Sequence, residues 1–119
     1  MKKKVLVAED DQAILEVMKI ILENEGYATL ETDSREVIHK MAAEENPDLI
    51  LLDIWLSGHD GGKIAKDLKS KKKTKHIPIV MVSASNETEK ISLSSGADGF
   101  LLKPFNIEDL ISVVHKHSR

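Results

Sequence analysis

Four short apolar runs in this sequence each give way to a side chain that can do chemistry. Val5-Leu6-Val7-Ala8 is followed by Glu9-Asp10-Asp11, Leu49-Ile50-Leu51-Leu52 by Asp53, Ile79-Val80-Met81-Val82 by Ser83, and Phe100-Leu101-Leu102 by Lys103. Singly, an acidic triplet reads as a helix start, an aspartate as a turn residue and Lys-Pro as a turn signal. Their coincidence at the ends of four runs points instead to one site holding carboxylates, a hydroxyl and an ammonium. Two like charges about 4 Å apart cost about 4 kcal/mol at an effective dielectric near 20, so a fold keeps such a cluster where a cation neutralises it. Oxygen-only donors favour Mg2+, Mn2+ or Ca2+. Mg2+ takes few carboxylates plus waters and a phosphate oxygen, which suits an open acidic cleft and a phosphoryl substrate; Mn2+ is the alternative. Lys103 and Ser83 then serve as groups that meet phosphoryl oxygens. Asp53, which has no acidic neighbour in sequence, is the natural nucleophile for an aspartyl phosphate.

Other chemistries fit poorly. The 119 residues include no cysteine, which removes thiolate and disulfide chemistry. His115 and His117 are two apart and share no helix face, while His39, His59 and His76 lie in separate elements, so no zinc spacing arises and surface histidines are expected. Gly58, Gly61 and Gly62 lack the Lys-Ser/Thr that completes a phosphate loop. The formal net charge is -3 with both signs mixed along the chain, unlike the basic footprint of a nucleic-acid binder. The cluster Lys69, Lys71, Lys72, Lys73 and Lys75 reads as a solvated helix end and loop. One Trp, one Tyr and two Phe supply no stacking platform for bases. No apolar run approaches the roughly 20 residues of a membrane span, and Met1-Lys2-Lys3-Lys4 precedes too short an apolar stretch for a signal peptide. A cytoplasmic protein that keeps its N-terminus, without nucleic-acid or membrane contact, is expected.

The elements that must position these groups follow from periodicity. The first three runs are continuous rather than alternating, as in strands covered on both faces; Tyr27 to Thr32 is more polar and suits an edge. Helical stripes appear at Ile14, Val17, Met18, Ile21 and Leu22, at Val37, Ile38, Met41 and Ala42, at Ile64, Ala65 and Leu68, and at Ile107, Leu110, Ile111 and Val114. Asn106 with Asp109, and Asn86 with Glu89, are helix starts. Gly26 and Gly96 are helix ends, and Pro47 keeps the chain out of helix before the third strand. Five strands and five helices in strict alternation predict one α/β domain over residues 1–119, a doubly wound parallel sheet with helices on both faces. Ligands of such sheets bind outside the carboxyl ends of the strands, where the four polar positions fall.

Together, Val5 to Asp11, Pro47 to Asp53, Val82-Ser83-Ala84 and Gly96 to Phe105 closely resemble the receiver domain of bacterial two-component response regulators, of the stand-alone chemotaxis-regulator kind. The resemblance covers essentially the whole chain and implies the flavodoxin-like strand order 2-1-3-4-5. It implies that Asp53 accepts a phosphoryl group from the phosphohistidine of a sensor histidine kinase or phosphotransfer protein. Glu9 and Asp10 would hold Mg2+ with the Asp53 carboxylate and the Trp55 backbone carbonyl, and Asp11 would cap the first helix. Ser83, the Ala84 backbone N–H and Lys103 would contact the phosphoryl group. Ser83 and Phe100 would form a switch that alters the face made by the fourth helix, fifth strand and fifth helix, where a downstream protein partner binds. Phosphorylation and dephosphorylation would be self-catalysed, and Lys103-Pro104 is a candidate cis bond.

Three departures stand out. Leu56-Ser57-Gly58 lacks the usual proline after the acceptor, which predicts a less rigid loop. The stretch between Ser83 and Lys103 is about two residues shorter than in many receivers, a trimming of loop or helix. Gly99 stands where many DNA-binding regulators carry a second acid. No output domain is expected from residues 1–119, so a shuttle of phosphate, or a receiver cut from a larger regulator, stays open. An FMN-binding flavodoxin would need an uncharged, hydroxyl-rich loop where Glu9-Asp10-Asp11 stands. A haloacid-dehalogenase-like phosphatase would need an aspartate where Trp55 stands. Trp55 itself is expected at the rim of the cleft.

Overall fold

The computed structural model describes residues 2–56, 59–84 and 88–118; the side chains of residues 35, 55, 56, 59 and 88 lie outside that set. The chain runs β1 (Lys4–Ala8), α1 (Gln12–Asn24), β2 (Ala28–Thr32), α2 (Arg35–Glu45), β3 (Leu49–Asp53), β4 (Trp55–Leu56), β5 (His59–Asp60), α3 (Gly61–Ser70), β6 (Ile79–Ser83), α4 (Thr88–Ser95), β7 (Gly99–Leu102) and α5 (Ile107–His117). Five strands form one sheet in the order β2-β1-β3-β6-β7, all neighbours parallel. Counting only that sheet, this is the expected 2-1-3-4-5 order with five helices, the fold that the sequence resemblance implied.

The continuous apolar runs are explained by burial on both sides. Successive strand residues point to opposite faces. Leu6, Ala8, Ile50, Leu52, Ile79 and Met81 pack on one face against Ile38 and Ala42 of α2 and Ile64, Ala65 and Leu68 of α3. Val5, Val7, Leu49, Leu51, Val80 and Val82 pack on the other against Leu15, Met18 and Leu22 of α1 and Leu110 and Val114 of α5. At about 25 cal/mol per Å2, each fully buried Leu or Ile contributes about 2 kcal/mol, so the two layers anchor the central strands whose ends carry the polar groups.

Helix ends follow their local chemistry. Asp11 accepts from the N–H groups of Ala13 and Ile14, and Asn106 forms a full capping box with Asp109. Gly26 and Gly96 take positive φ just past α1 and α4, the conformation that costs glycine least. Asn86, the expected start of α4, lies outside the described residues, as do Ser57 and Gly58 of the loop expected to be less rigid. Lys103-Pro104 is cis.

The structure corrects three helix positions and adds two short strands. Val17 is 53 % exposed and Ile107 58 % exposed, and Val37 is exposed too; α1 turns Leu15 inward instead, and α2 and α5 use narrower faces than their apolar residues allow. Trp55–Leu56 and His59–Asp60 pair as a two-residue antiparallel ladder, where a plain loop was expected.

Candidate functional site

Register brings the polar ends level. Ala8 pairs with Leu52, Asp53 with Val82 and Ser83 with Leu102, so Glu9, Asp53, Ser83 and Lys103 emerge side by side from four adjacent strands. Backbone bonds carry the alignment one residue past the strands: Glu9 N–H donates to Thr32 O (3.1 Å), Ile54 N–H to Val82 O (3.1 Å) and Lys103 N–H to Ser83 O (2.9 Å). Gly61 N–H donates to Ile54 O, which draws the start of α3 against the backbone that carries Asp53.

Carboxylate oxygens of Glu9, Asp10 and Asp53 lie within 4.8 Å of one another. Glu9 and Asp53 are buried and Asp10 is exposed. Lys103 Nζ lies 2.6 Å from Glu9 Oε1 and 3.7 Å from Asp53 Oδ2. The second Glu9 oxygen accepts the Asp11 N–H at 3.2 Å, so one buried carboxylate fastens the lysine and the start of α1 together. Among the described residues one ammonium faces three carboxylates, and every donor of the set is a hard oxygen; the set fits a cation of the magnesium type.

Of the residues singled out from sequence, Glu9, Asp10, Asp53 and Lys103 are brought together. Ser83 is buried at the end of β6 and Ala84 is exposed beside it. Phe100 is 37 % exposed on β7, three residues before Lys103 and away from the carboxyl cluster. The Trp55 backbone forms the start of β4; its side chain, expected at the rim, lies outside the described residues. Sequence reasoning missed two features. The Glu9–Lys103 pair joins residues 94 apart; Lys103 was matched to phosphoryl oxygens, and charge sign alone did not single out Glu9. An apolar groove of about 490 Å3 also adjoins Lys103, lined by Ala13, Ile14, Val17, Pro104 and Phe105. Its one sequence signal was the surplus of apolar residues on α1.

Residues 5–115 match the family described as the response regulator receiver domain. The phosphate regulon transcriptional regulatory protein PhoB of Pseudomonas aeruginosa is 38% identical over 112 residues, covering 92% of this chain and 49% of that protein. The chain spans about half the length of the curated relatives it matches. The chemotaxis protein CheY4 of Vibrio cholerae superposes with a TM-score of 0.89 at 25% identity, over 98% of this chain and 99% of that one. The receiver domain of the sensor histidine kinase PA1611 of Pseudomonas aeruginosa, solved with a magnesium ion coordinated in its active-site cleft, shares the fold. Its TM-score is 0.89 at 21% identity, over 98% of each chain.

Proposed function

The chain belongs to the response regulator receiver domain family of two-component signalling, and from that premise we propose that Asp53 is its phosphoacceptor. The observation that carries this reading is the carboxyl cluster of Glu9, Asp10 and Asp53 within 4.8 Å, with Lys103 reaching in from the end of β7. The donor is a sensor histidine kinase or a phosphotransfer protein. An Asp53 carboxylate oxygen attacks phosphorus, the bond from phosphorus to the donor's imidazole nitrogen breaks, its electron pair stays on that nitrogen, and an acyl phosphate remains on Asp53. The apolar groove beside Lys103 supports a protein donor, since Ile14, Val17 and Phe105 can seat an apolar face while the imidazole reaches the cleft.

A divalent cation, Mg2+ with Mn2+ as substitute, would be held by Glu9, Asp10, Asp53 and the Trp55 carbonyl and would offset the charge of the phosphoryl oxygens. The magnesium in the PA1611 cleft supports that choice. The chain's own groups do the rest. Lys103 exchanges Glu9 for a phosphoryl oxygen, and the Ser83 hydroxyl and Ala84 N–H donate to the others. The same groups align water for loss of the phosphate, so both steps are self-catalysed. Ser83 and Phe100 pass the change to the face of α4, β7 and α5, where a downstream protein binds. Residues 1–119 act as one receiver domain in the cytoplasm, either alone, as a phosphate shuttle, or within a longer regulator. The half-length match to PhoB supports the last.

Acetyl phosphate with Mg2+ should add one hydroxylamine-sensitive phosphate, and Asp53→Asn should remove it. Asp10→Ala, or chelation, should block uptake while leaving the circular dichroism spectrum unchanged. Phosphate retained on Asp53→Asn at the wild-type level would sink the assignment.

A further inference from the structure

We propose that the turn between α3 and β6 is a docking site for an acidic segment of a partner protein. The turn reads Lys71-Lys72-Lys73-Thr74-Lys75, and its four lysines are exposed. Among the described residues, none of them pairs with a carboxylate. Thr74 alone points inward. It is 2 % exposed and its hydroxyl donates to Leu68 O at 2.6 Å. The backbone closes on itself: Thr74 N–H and Lys75 N–H donate to Lys71 O at 3.1 and 2.8 Å, and Ile77 N–H to Thr74 O at 3.0 Å. Lys69 ties the base, its Nζ bonding Ile77 O at 2.8 Å and pairing with Asp98 at 2.9 Å. His76 is joined to Asn46 at 2.8 Å.

Four exposed lysines thus stand on a turn whose backbone is fixed by a buried threonine and its own hydrogen bonds. A surface ordered in advance costs less to bind than one that must be ordered on contact. What it fits is a short run of carboxylates. The patch is short, and the whole chain carries a formal net charge of -3. A nucleic-acid backbone needs a longer cationic track than that. The turn has no arginine fork and no aromatic ring for bases, and Ile77, its nearest large apolar residue, is fully buried, which leaves nothing to insert into lipid. The turn precedes β6, whereas the phosphoryl site lies beyond its other end, about 15 Å away for a five-residue strand. A partner docked there leaves the cleft open.

Fluorescence polarisation of a fluorescein-labelled hexaglutamate peptide tests this. Wild-type protein should bind it in low salt and release it as salt is raised. The triple variant Lys71→Glu, Lys72→Glu, Lys73→Glu should lose at least about tenfold in affinity. A Lys2→Glu, Lys3→Glu variant, at the same amino end of the parallel strands, should stay within about twofold. Thr74→Ala, which keeps every lysine and loosens the turn, should weaken binding about threefold. Phosphate uptake at Asp53 should be unchanged in all three, so failure here is separable from failure of the phosphoacceptor reading. The proposal is overturned by any of three results. One is no polarisation change with wild type. Another is equal loss in the triple and the Lys2/Lys3 variants. The third is tighter binding of a 20-base-pair duplex, or of phosphatidylcholine vesicles containing phosphatidylserine, than of the peptide.

Discussion

Lys103 is held from two sides, at 2.6 Å by Glu9 and at 3.7 Å by Asp53, and Glu9 is 2 % exposed. Removing one half of such a pair strands the other. Lys103→Ala is expected to cost about 3 kcal/mol of unfolding free energy in urea, because the buried carboxylate is left beside two more. Glu9→Gln in that background should recover most of the loss, and MgCl2 should narrow it by supplying the missing positive charge. A Lys103→Ala protein as stable as wild type would show that the pair holds nothing together. A second residue-scale device sits at Gly99. A Cβ there would lie 2.6 Å from His117 Nε2, so the bare glycine is what lets the imidazole settle on β7. Burial, and then the neighbouring Lys116, push the His117 pKa below 6.5, against an opposing pull from Asp98; Asp109 is the other carboxylate lining the same groove. The folded chain therefore binds this proton less readily than the unfolded chain. The associated stability is whole above about pH 6.5, the unfolded value, and is lost as pH falls toward the depressed folded value. His117→Gln should flatten that part of the melting-temperature profile, and Gly99→Ala should return the His117 titration, followed by NMR, toward its ordinary range. Neither contact was legible in the sequence. The histidines read as surface residues and Gly99 read as a missing acid, because a notch between a strand and a helix 18 residues later exists only after the sheet forms.

Elements were legible where the signal was local. Continuous runs named the three central strands because both faces are buried, and Asp11, Asn106 and Gly26 named helix ends because caps act within a turn. Helix faces were less so. α1 carries apolar side chains at 13, 14, 15, 17, 18, 20, 21 and 22, so a 3.6-residue stripe can be drawn more than one way. The choice of Leu15 over Val17 is made by where the sheet and α5 lie. The two-residue ladder of β4 and β5 is too short to show alternation at all. The element that most constrains the site is α3, whose first residue abuts the strand end that carries Asp53. A Cβ on Gly61 would stand 2.8 Å from both Ile54 Cα and Ile54 O, which are backbone atoms without rotamers to yield. Gly61→Ala should therefore cost about 1–3 kcal/mol and slow phosphate uptake, as Asp53 is moved out of register with Glu9 and Asp10. Gly62→Ala is the control, because its Cβ would meet only side-chain atoms, at 3.1 Å from Asp60 Oδ1 and 3.2 Å from Ile91 Cγ2. Equal melting temperatures and uptake rates for the two variants would show that the close approach at Gly61 is not limiting.

At the scale of the whole molecule, strand order decides where a change at Asp53 can travel. Periodicity alone could not supply that order; the resemblance did, and the register then explains how residues far apart in sequence meet. Toward β2 the site is backed by firmly packed parts, since Ile38 and Ala42 of α2 are fully buried. Toward β7 it is not. Ser83 pairs in register with Leu102, and Met81 with the half-exposed Phe100. α4 rests on β7 through the Ser92 hydroxyl, which donates to Gly99 O at 2.9 Å, while Ser95 bonds back to Ser92 and Leu93 is 74 % exposed. A helix seated on small polar side chains forgoes most of the burial energy that fixes α1, α3 and α5. A phosphoryl group adds about -1.5 to -2 charges and three acceptors, and the neighbour able to respond is the β6–β7 edge with α4. Beryllofluoride with Mg2+, as a phosphoryl mimic, should therefore shift amide resonances at the end of β6 and across α4, β7 and α5. The Phe100 ring should become less accessible as Ser83 moves toward the mimic. Ser83→Ala should still bind the mimic but transmit smaller shifts to β7, because the hydroxyl that couples the two is gone. Shifts that cluster instead across residues 27–41, with α4 and β7 unmoved, would overturn this route and place the responsive surface on the other edge of the sheet.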